Sequence, residues 1–282
     1  MRSTLEQFTT STSKELFQKT SIAFENENGV DAGGLRREWM SLVLKELFDP
    51  SFGLFSFSEN KTGVQPSQTA PIIPHYKTYL ELAGIMLAKV VQEGHVVSVN
   101  FTRPFLRHIL KRNITLNDMD DIDEALAKNI KWIIENNVEG LELSFSYEVE
   151  ILGERVTREL VKDGNETILT EENKLEFVKR ICQMKMKEEM NEGLEAFLKG
   201  FHSIIPADLL TSFSTTELQI LISGTPIVNL EEIKEHAVYN GYTKDCQVIL
   251  WFWEILADFS PKEWSALLFF ITGTLIRGFI FL

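Results

Sequence analysis

Two cysteines are the residues of this chain whose chemistry could support nucleophilic catalysis. Cys182 lies in KRICQMKMKEEM with Val178 and Met186 at helical spacing, a pattern typical of a small buried side chain. Cys246 lies in TKDCQVILWFW, directly before an apolar helical stripe and close to Lys244. A reactive cysteine needs a cation, a helix amino terminus or a histidine to stabilise its thiolate. One lysine and a helix start supply little of this, so we assign no catalytic role to either thiol.

The other reactive residue types form no recognisable site. The five histidines are scattered, and we assign none of them a role as ligand or base: His75, His95, His108, His202 and His236. The acidic residues from Asp118 to Asp123 fall at a predicted helix start, where carboxylates favour the helix dipole. The cysteines have no metal-ligand spacing, so neither a metal site nor a disulfide framework is expected. Because no nucleotide-binding or metallohydrolase motif occurs, we predict no cofactor.

Charge and composition restrict the classes of partner. The chain has 282 residues, and 28 Lys and Arg against 41 Asp and Glu give a net charge of −13. This charge argues against a nonspecific hold on phosphate backbones, so we expect no nucleic-acid partner. The amino terminus has no apolar run of signal-peptide length, which favours a cytoplasmic protein, with the nucleus as the other compartment.

The apolar stretch SALLFFITGTLIRGFIFL at residues 265–282 leaves one alternative open. A membrane anchor needs about 20 consecutive apolar residues, whereas Arg277 interrupts a shorter run here. We therefore expect no membrane partner, and a tail anchor is the alternative interpretation.

The elements that would position these side chains are mostly helical. Apolar residues recur at helical spacing in windows that begin at Leu35, Tyr79 and Leu194. Between the last two windows, apolar and polar residues alternate over residues 141–150, which is typical of a strand. A turn at Lys162-Asp163-Gly164-Asn165 followed by TILT predicts further short strands. We therefore expect a small α+β insertion at about residues 139–200.

A boundary or hinge is predicted after the apolar string LQILIS. Gly224-Thr225-Pro226 follows that string, and Pro226 cannot continue a helix. Two further helices are predicted beyond it, one with an apolar stripe from Val248 to Phe259 and one that begins at Ser260-Pro261-Lys262-Glu263.

Eight strings stand in order between residues 24 and 274. They are FENENGVDAGGLRREW, KELFDPSFGLF, YLELAGIMLAKVVQEG, RPFLRHIL, ITLNDMDDID, AFLKGFHSIIP, ELQILISG and VILWFWEILADFSPKEWSALLFFITGT. Together they resemble the HECT-type ubiquitin-protein ligases. The resemblance implies a mostly helical α+β fold with two lobes. The large lobe would span residues 1–224, with the small α+β subdomain inside it, and a hinge at 225–228 would lead to a catalytic lobe.

The resemblance also implies an activity. Ligases of this family accept ubiquitin from a conjugating enzyme and pass it to substrate lysines through a cysteine thioester. The implied partners are a ubiquitin-conjugating enzyme, ubiquitin and a protein substrate that the sequence does not identify.

The chain departs from the family pattern after Thr274. In the family, the segment that matches Thr272-Gly273-Thr274 leads to a glycine-containing loop, several strands and a cysteine in a His-Thr-Cys-Phe type motif. Here LIRGFIFL follows, so we expect a partial catalytic lobe at 229–274, an off-pattern tail at 275–282, and no family nucleophile. The alternative is a catalytically silent module that binds a conjugating enzyme or ubiquitin.

The resemblance assigns a docking groove for the conjugating enzyme to two helices and the strand between them. Its predicted lining residues are Leu126, Ile130, Leu141, Leu143, Phe177 and Ile181. A shallow apolar patch of this kind suits a weak interface that depends on a few anchors. Core packing remains the alternative for Leu126, Ile130 and Phe177, because their spacing also fits a buried helix face.

Two further assignments follow from the resemblance. Tyr79 and Phe145 match positions that hold ubiquitin noncovalently in one subgroup of the family, with core packing again as the alternative. The predicted hinge residues are Gly224, Thr225 and Pro226, which would let the catalytic lobe swing as a rigid body.

Overall fold

The computed structural model describes residues 34–259, apart from 152 and 225–229, together with residues 263, 264, 267 and 270. In these residues the helices are α1 (Gly34–Phe48), α2 (Tyr76–Gln92), α3 (Arg103–Ile109), α4 (Glu124–Glu135), α5 (Lys174–Met186), α6 (Asn191–Ile204), α7 (Thr215–Ser223), α8 (Leu230–His236) and α9 (Gln247–Ala257). The strands are β1 (Phe55–Phe57), β2 (Val64–Pro66), β3 (Ser146–Ile151) and β4 (Glu154–Glu159). They form two antiparallel hairpins, β1–β2 and β3–β4. The predicted mostly helical α+β class is confirmed.

The larger core is built around α2. Every residue of this helix from Leu82 to Val90 is buried, as is Leu80. A helix that is apolar on nearly all sides must lie at the centre of its domain, because no face is suited to water. Helices α1, α6 and α7 of the larger core therefore pack against α2, with α6 in the most extensive contact, and α3 packs against α6 and α7.

Two glycines allow α2 and α6 to touch backbone to backbone. A Cβ atom added to Gly84 would lie 2.1 Å from the carbonyl oxygen of Phe197, and one added to Gly200 would lie 2.0 Å from the carbonyl oxygen of Glu81. Both distances are far below van der Waals contact, and the colliding atoms belong to the backbone of the facing helix. Glycine is therefore required on both sides of this contact.

A second, smaller core defines the small subdomain. It contains buried residues from Met119 to Met186, and α5 contributes Phe177, Val178 and Ile181. Helix α4, which precedes the predicted range 139–200, contributes Ala127, Ile130 and Ile133 to the same core. The small subdomain thus draws on residues before 139 as well as on the β3–β4 hairpin.

The strand predicted at residues 141–150 begins later in the structure. Glu142 has a positive φ of 52°, and the preceding Gly140 has a φ of 81°. Such angles interrupt an extended strand. Strand β3 therefore starts at Ser146 and pairs with β4, with Ser146 opposite Glu159. The string TILT contributes an isolated bridge between Ile168 and Ser144.

Two polar contacts fasten the small subdomain to the larger core. Arg107 of α3 donates from Nε to the buried carboxylate of Asp118 at 2.8 Å. His108, the next residue of α3, bonds through Nε2 to the carbonyl oxygen of Met186 at the end of α5, at 2.8 Å. Burial lowers the pKa of His108, so the neutral ring donates this bond at pH 7.

The predicted hinge lies mostly outside the described residues. Helix α7 ends at Ser223, and Gly224 follows with a φ of 77°. Thr225 and Pro226 are not among the described residues, nor are Ser260, Pro261, Lys262 and the tail at 275–282. Within the part of the chain that is described, no helix is long and apolar enough to cross a bilayer.

Replacing Gly200 by alanine should destabilise the protein by about 3 kcal/mol, because the new Cβ would collide with the α2 backbone. Gly193→Ala on the same helix is the matched control, since its Cβ would meet the movable end of the Leu80 side chain at 2.9 Å. We expect the control to change the free energy of unfolding by less than about 1 kcal/mol. Urea denaturation measures both values, and equal stability of the two variants would contradict the close helix contact.

Candidate functional site

The predicted groove residues of the two helices belong to the core of the small subdomain. Ile130 of α4 is 0% exposed, and Phe177 and Ile181 of α5 are 6% and 2% exposed. The ring of Phe177 packs edge to face against Phe145, with 5.4 Å between the ring centroids. Leu126 is partly buried against the same cluster. In the isolated chain these side chains therefore pack below the surface of the small subdomain instead of lining an open groove.

The two predicted groove residues that follow α4 are exposed. Leu141 is 45% exposed and Leu143 is 40% exposed. They flank Glu142, whose left-handed backbone turns the chain before β3. The carbonyl oxygen of Leu143 accepts a hydrogen bond from the backbone N–H of Leu169, so the loop is attached to the segment that follows the β3–β4 hairpin.

A carboxylate and a lysine hold the base of this loop. Oε1 of Glu171 accepts from the backbone N–H of Val138 at 2.8 Å, and its Oε2 pairs with Lys174 Nζ at 2.8 Å. The Lys174 contact, followed by the Val138 N–H, lowers the pKa of the Glu171 carboxyl. Lys174 Nζ also donates to the carbonyl oxygen of Asn136 at 2.9 Å. The loop that carries the exposed leucines is therefore fixed at both ends.

Two further exposed apolar side chains lie on α4 and on the segment after the β3–β4 hairpin. Trp132 is 48% exposed in the last turn of α4, and Ile168 is 59% exposed beside the bridge to Ser144. Trp132 stands two positions after Ile130, which places it on the opposite side of the helix from that buried residue. The sequence signal for Trp132 as a surface residue is a large apolar side chain at a position outside the buried stripe of α4. We call Trp132, Leu141, Leu143 and Ile168 the exposed apolar patch.

The two predicted ubiquitin-binding residues pack into different cores. Tyr79 of α2 is partly buried against the larger core, where its ring meets Phe52 edge to face at 5.7 Å. Phe145 is 2% exposed in the core of the small subdomain. Each side chain has a packing role in its own cluster, and their predicted role in binding ubiquitin stays a prediction.

The two thiols lie at different positions on their helices. Cys182 is half-buried on α5, and burial raises the pKa of its thiol to about 11. Cys246 caps the start of α9, where its carbonyl oxygen accepts from the N–H groups of Ile249 and Leu250. Among the described residues no histidine ring or lysine amine bonds to either sulfur, and no three His, Cys, Asp or Glu side chains group as metal ligands.

Comparison with known proteins identifies the family. The model of the HECT-domain (ubiquitin-transferase) family matches residues 41–275. The chain is 34% identical over 258 residues to the E3 ubiquitin-protein ligase TOM1 of Saccharomyces cerevisiae, which covers 91% of this chain and 8% of that protein. It is 35% identical over 264 residues to the E3 ubiquitin-protein ligase HUWE1 of Mus musculus, covering 93% of this chain and 6% of that protein.

A third relative is matched over a larger share of its own length. The E3 ubiquitin-protein ligase HACE1 of Bos taurus is 33% identical over 276 residues, which is 97% of this chain and 30% of that protein. The chain thus spans less than a third of each of these three relatives. Because the family model matches most of the chain and the relatives exceed 30% identity, the chain belongs to the HECT-domain family of ubiquitin transferases.

Proposed function

We propose that this HECT chain docks a ubiquitin-conjugating enzyme through the exposed apolar patch of the small subdomain. The observation that carries the proposal is the outward position of Leu141 and Leu143, at 45% and 40% exposure, on a loop held by backbone and side-chain bonds. Large apolar side chains held in water are suited to anchoring a partner, because ordering them on binding costs little further entropy.

The buried members of the predicted groove support this surface from below. Phe177 and Ile181 pack against α4, so the relative position of α4 and the Leu141–Leu143 loop depends on them. Trp132 adds an exposed aromatic side chain on α4, and tryptophan is among the residues that carry the most binding energy in interfaces. Phe177 and Ile181 would therefore contribute to docking by positioning the surface, and Trp132 by direct contact with the partner.

The transfer reaction of the family would require a reactive thiolate, and the chemistry of the two thiols argues that this chain alone does not form the thioester. Cys182 is held as a neutral thiol, since burial disfavours the charged form. Cys246 stands at a helix start but has no histidine or lysine bonded to its sulfur among the described residues. We therefore propose that residues 1–282 supply docking within a ligase whose relatives transfer ubiquitin to protein substrates.

The domain boundaries remain part of the proposal. Gly224, with a φ of 77° directly after α7, supports an end of the large lobe at this residue, because few side chains tolerate such an angle. We propose that residues 225–228 form the hinge to the following lobe, and that α8 and α9 begin that lobe.

Leu143→Asp should weaken binding of a conjugating enzyme at least about tenfold, because docking would bury an unpaired carboxylate. Leu209→Asp is the matched control: Leu209 is 70% exposed, and it lies in the short helical turn Ala207–Leu210, whose buried Leu210 joins the larger core. Isothermal titration calorimetry with an uncharged conjugating enzyme measures both affinities. Unchanged binding of Leu143→Asp, or equal loss in both variants, would contradict docking at the patch.

Mixing the chain with ubiquitin-loaded conjugating enzyme should yield no reductant-sensitive ubiquitin adduct on a gel. The reason is that burial keeps Cys182 a neutral thiol, and that no histidine ring or lysine amine among the described residues bonds to the sulfur of Cys246. Cys246→Ser and Cys182→Ser are run in parallel. An adduct that one of these variants loses would identify that cysteine as a thioester acceptor and would reject this part of the proposal.

A further inference from the structure

A cleft of about 560 Å³ separates the end of α3 and the loop after it from α5. One wall is a face of α5 on which Val178, Cys182 and Met186 recur at helical spacing. Ile114 and Leu116 lie on the opposite wall, on the loop after α3. The floor of the cleft is therefore apolar, and its volume is in the range of pockets that hold several ligand side chains.

The cleft is distinct from the exposed apolar patch. The residues of α5 that face α4, Phe177 and Ile181, do not line it, and α4 contributes no lining residue. A ligand in the cleft would occupy the face of α5 toward the larger core, whereas the patch lies at the loop after α4.

The polar lining of the cleft is basic. Arg112, Lys179 and Lys187 line it, and no Asp or Glu is among its lining residues. The guanidinium of Arg112 is fixed by a 3.0 Å bond to the carbonyl oxygen of Thr211, and Glu217, which lies outside the cleft lining, is a nearby carboxylate that feels its charge. The salt bridges of the described residues do not use Lys179 or Lys187. Three cations around an apolar floor contrast with the net charge of −13 of the whole chain.

The width of the cleft is set by a bond between its walls. Nε2 of His108 lies 2.8 Å from the carbonyl oxygen of Met186, and both residues line the cleft. The ring spans from α3 to the end of α5, so the two walls cannot separate without breaking this bond. The site is therefore formed before a ligand arrives, which reduces the entropy lost on binding.

We propose that this cleft binds an acidic amphipathic peptide segment. The apolar floor runs along α5 for roughly 18 Å between Leu175 and Lys187, which fits about three turns of a partner helix. Carboxylates on that segment would meet Arg112, Lys179 and Lys187. Nucleic acid fits the site less well, because the strongly negative chain repels a long polyanion and the lining contains no Phe, Tyr or Trp ring for base stacking.

The test uses a fluorescein-labelled twelve-residue peptide of Glu and Leu in a helical repeat. Its binding to the 282-residue chain is followed by fluorescence anisotropy, and the methyl resonances of Met186 and Val178 report its position by NMR. We expect saturable binding that moves these two resonances. The double variant Lys179→Glu and Lys187→Glu should weaken it at least about tenfold.

Two matched controls separate cleft binding from nonspecific attraction. Lys61→Glu with Lys162→Glu makes the same change of net charge at exposed positions outside the cleft, and should alter the affinity less than about twofold. A peptide with Gln in place of every Glu should bind at least about tenfold more weakly. No conjugating enzyme is present, so the result is independent of the docking proposal. Absence of binding, equal binding by the Gln peptide, or unchanged binding by the cleft variant would overturn the inference.

Discussion

The contact between α2 and α6 is the constraint on which the rest of the described structure depends. The backbones of the two helices meet at Gly84 and Gly200, where a single methyl group would lie about 2 Å from a carbonyl oxygen. Helix α6 follows α5 after the short helical turn Glu188–Met190, so fixing α6 against α2 also fixes where the small subdomain leaves the larger core. The central helix α2 and its glycine contact with α6 thus help to position the small subdomain, although the small subdomain has a separate core.

Two polar bonds from α3 contribute to the attachment of the small subdomain. Arg107 and His108 are consecutive residues of α3, and they bond to Asp118 at the entrance of the subdomain and to Met186 near its exit. Because both ends of the subdomain are held by one short helix, its surfaces keep defined positions relative to the larger core. The exposed apolar patch is formed by side chains of α4 and of the segments before and after the β3–β4 hairpin, whereas the basic cleft lies between α5 and the end of α3. One small subdomain therefore presents two chemically different surfaces.

The sequence predicted the helices with strong apolar spacing, the position of Cys246 before α9, and the mostly helical α+β class. It did not predict where the strand after Leu141 begins, because the left-handed conformation of Glu142, a non-glycine residue, leaves no compositional signal. It selected Leu141 and Leu143 for the docking surface together with Phe177, yet the structure exposes the first two and buries the third. Periodicity identifies the buried face of a helix such as α5, but the left-handed backbone at Glu142 puts Leu141 and Leu143 on a loop, where both reach water. Apolar periodicity does not indicate Trp132, because this residue lies outside the periodic stripe of α4; its large apolar side chain on the polar face is the signal that does.

The most direct test of the docking account is a methyl and indole NMR titration of the labelled chain with an unlabelled conjugating enzyme. The account predicts that resonances of Leu141, Leu143, Ile168 and the Trp132 indole shift together, while Leu209 does not move. Shifts confined to the exposed apolar face of α9, for example at Val248 and Ile255, with the patch unchanged, would contradict it.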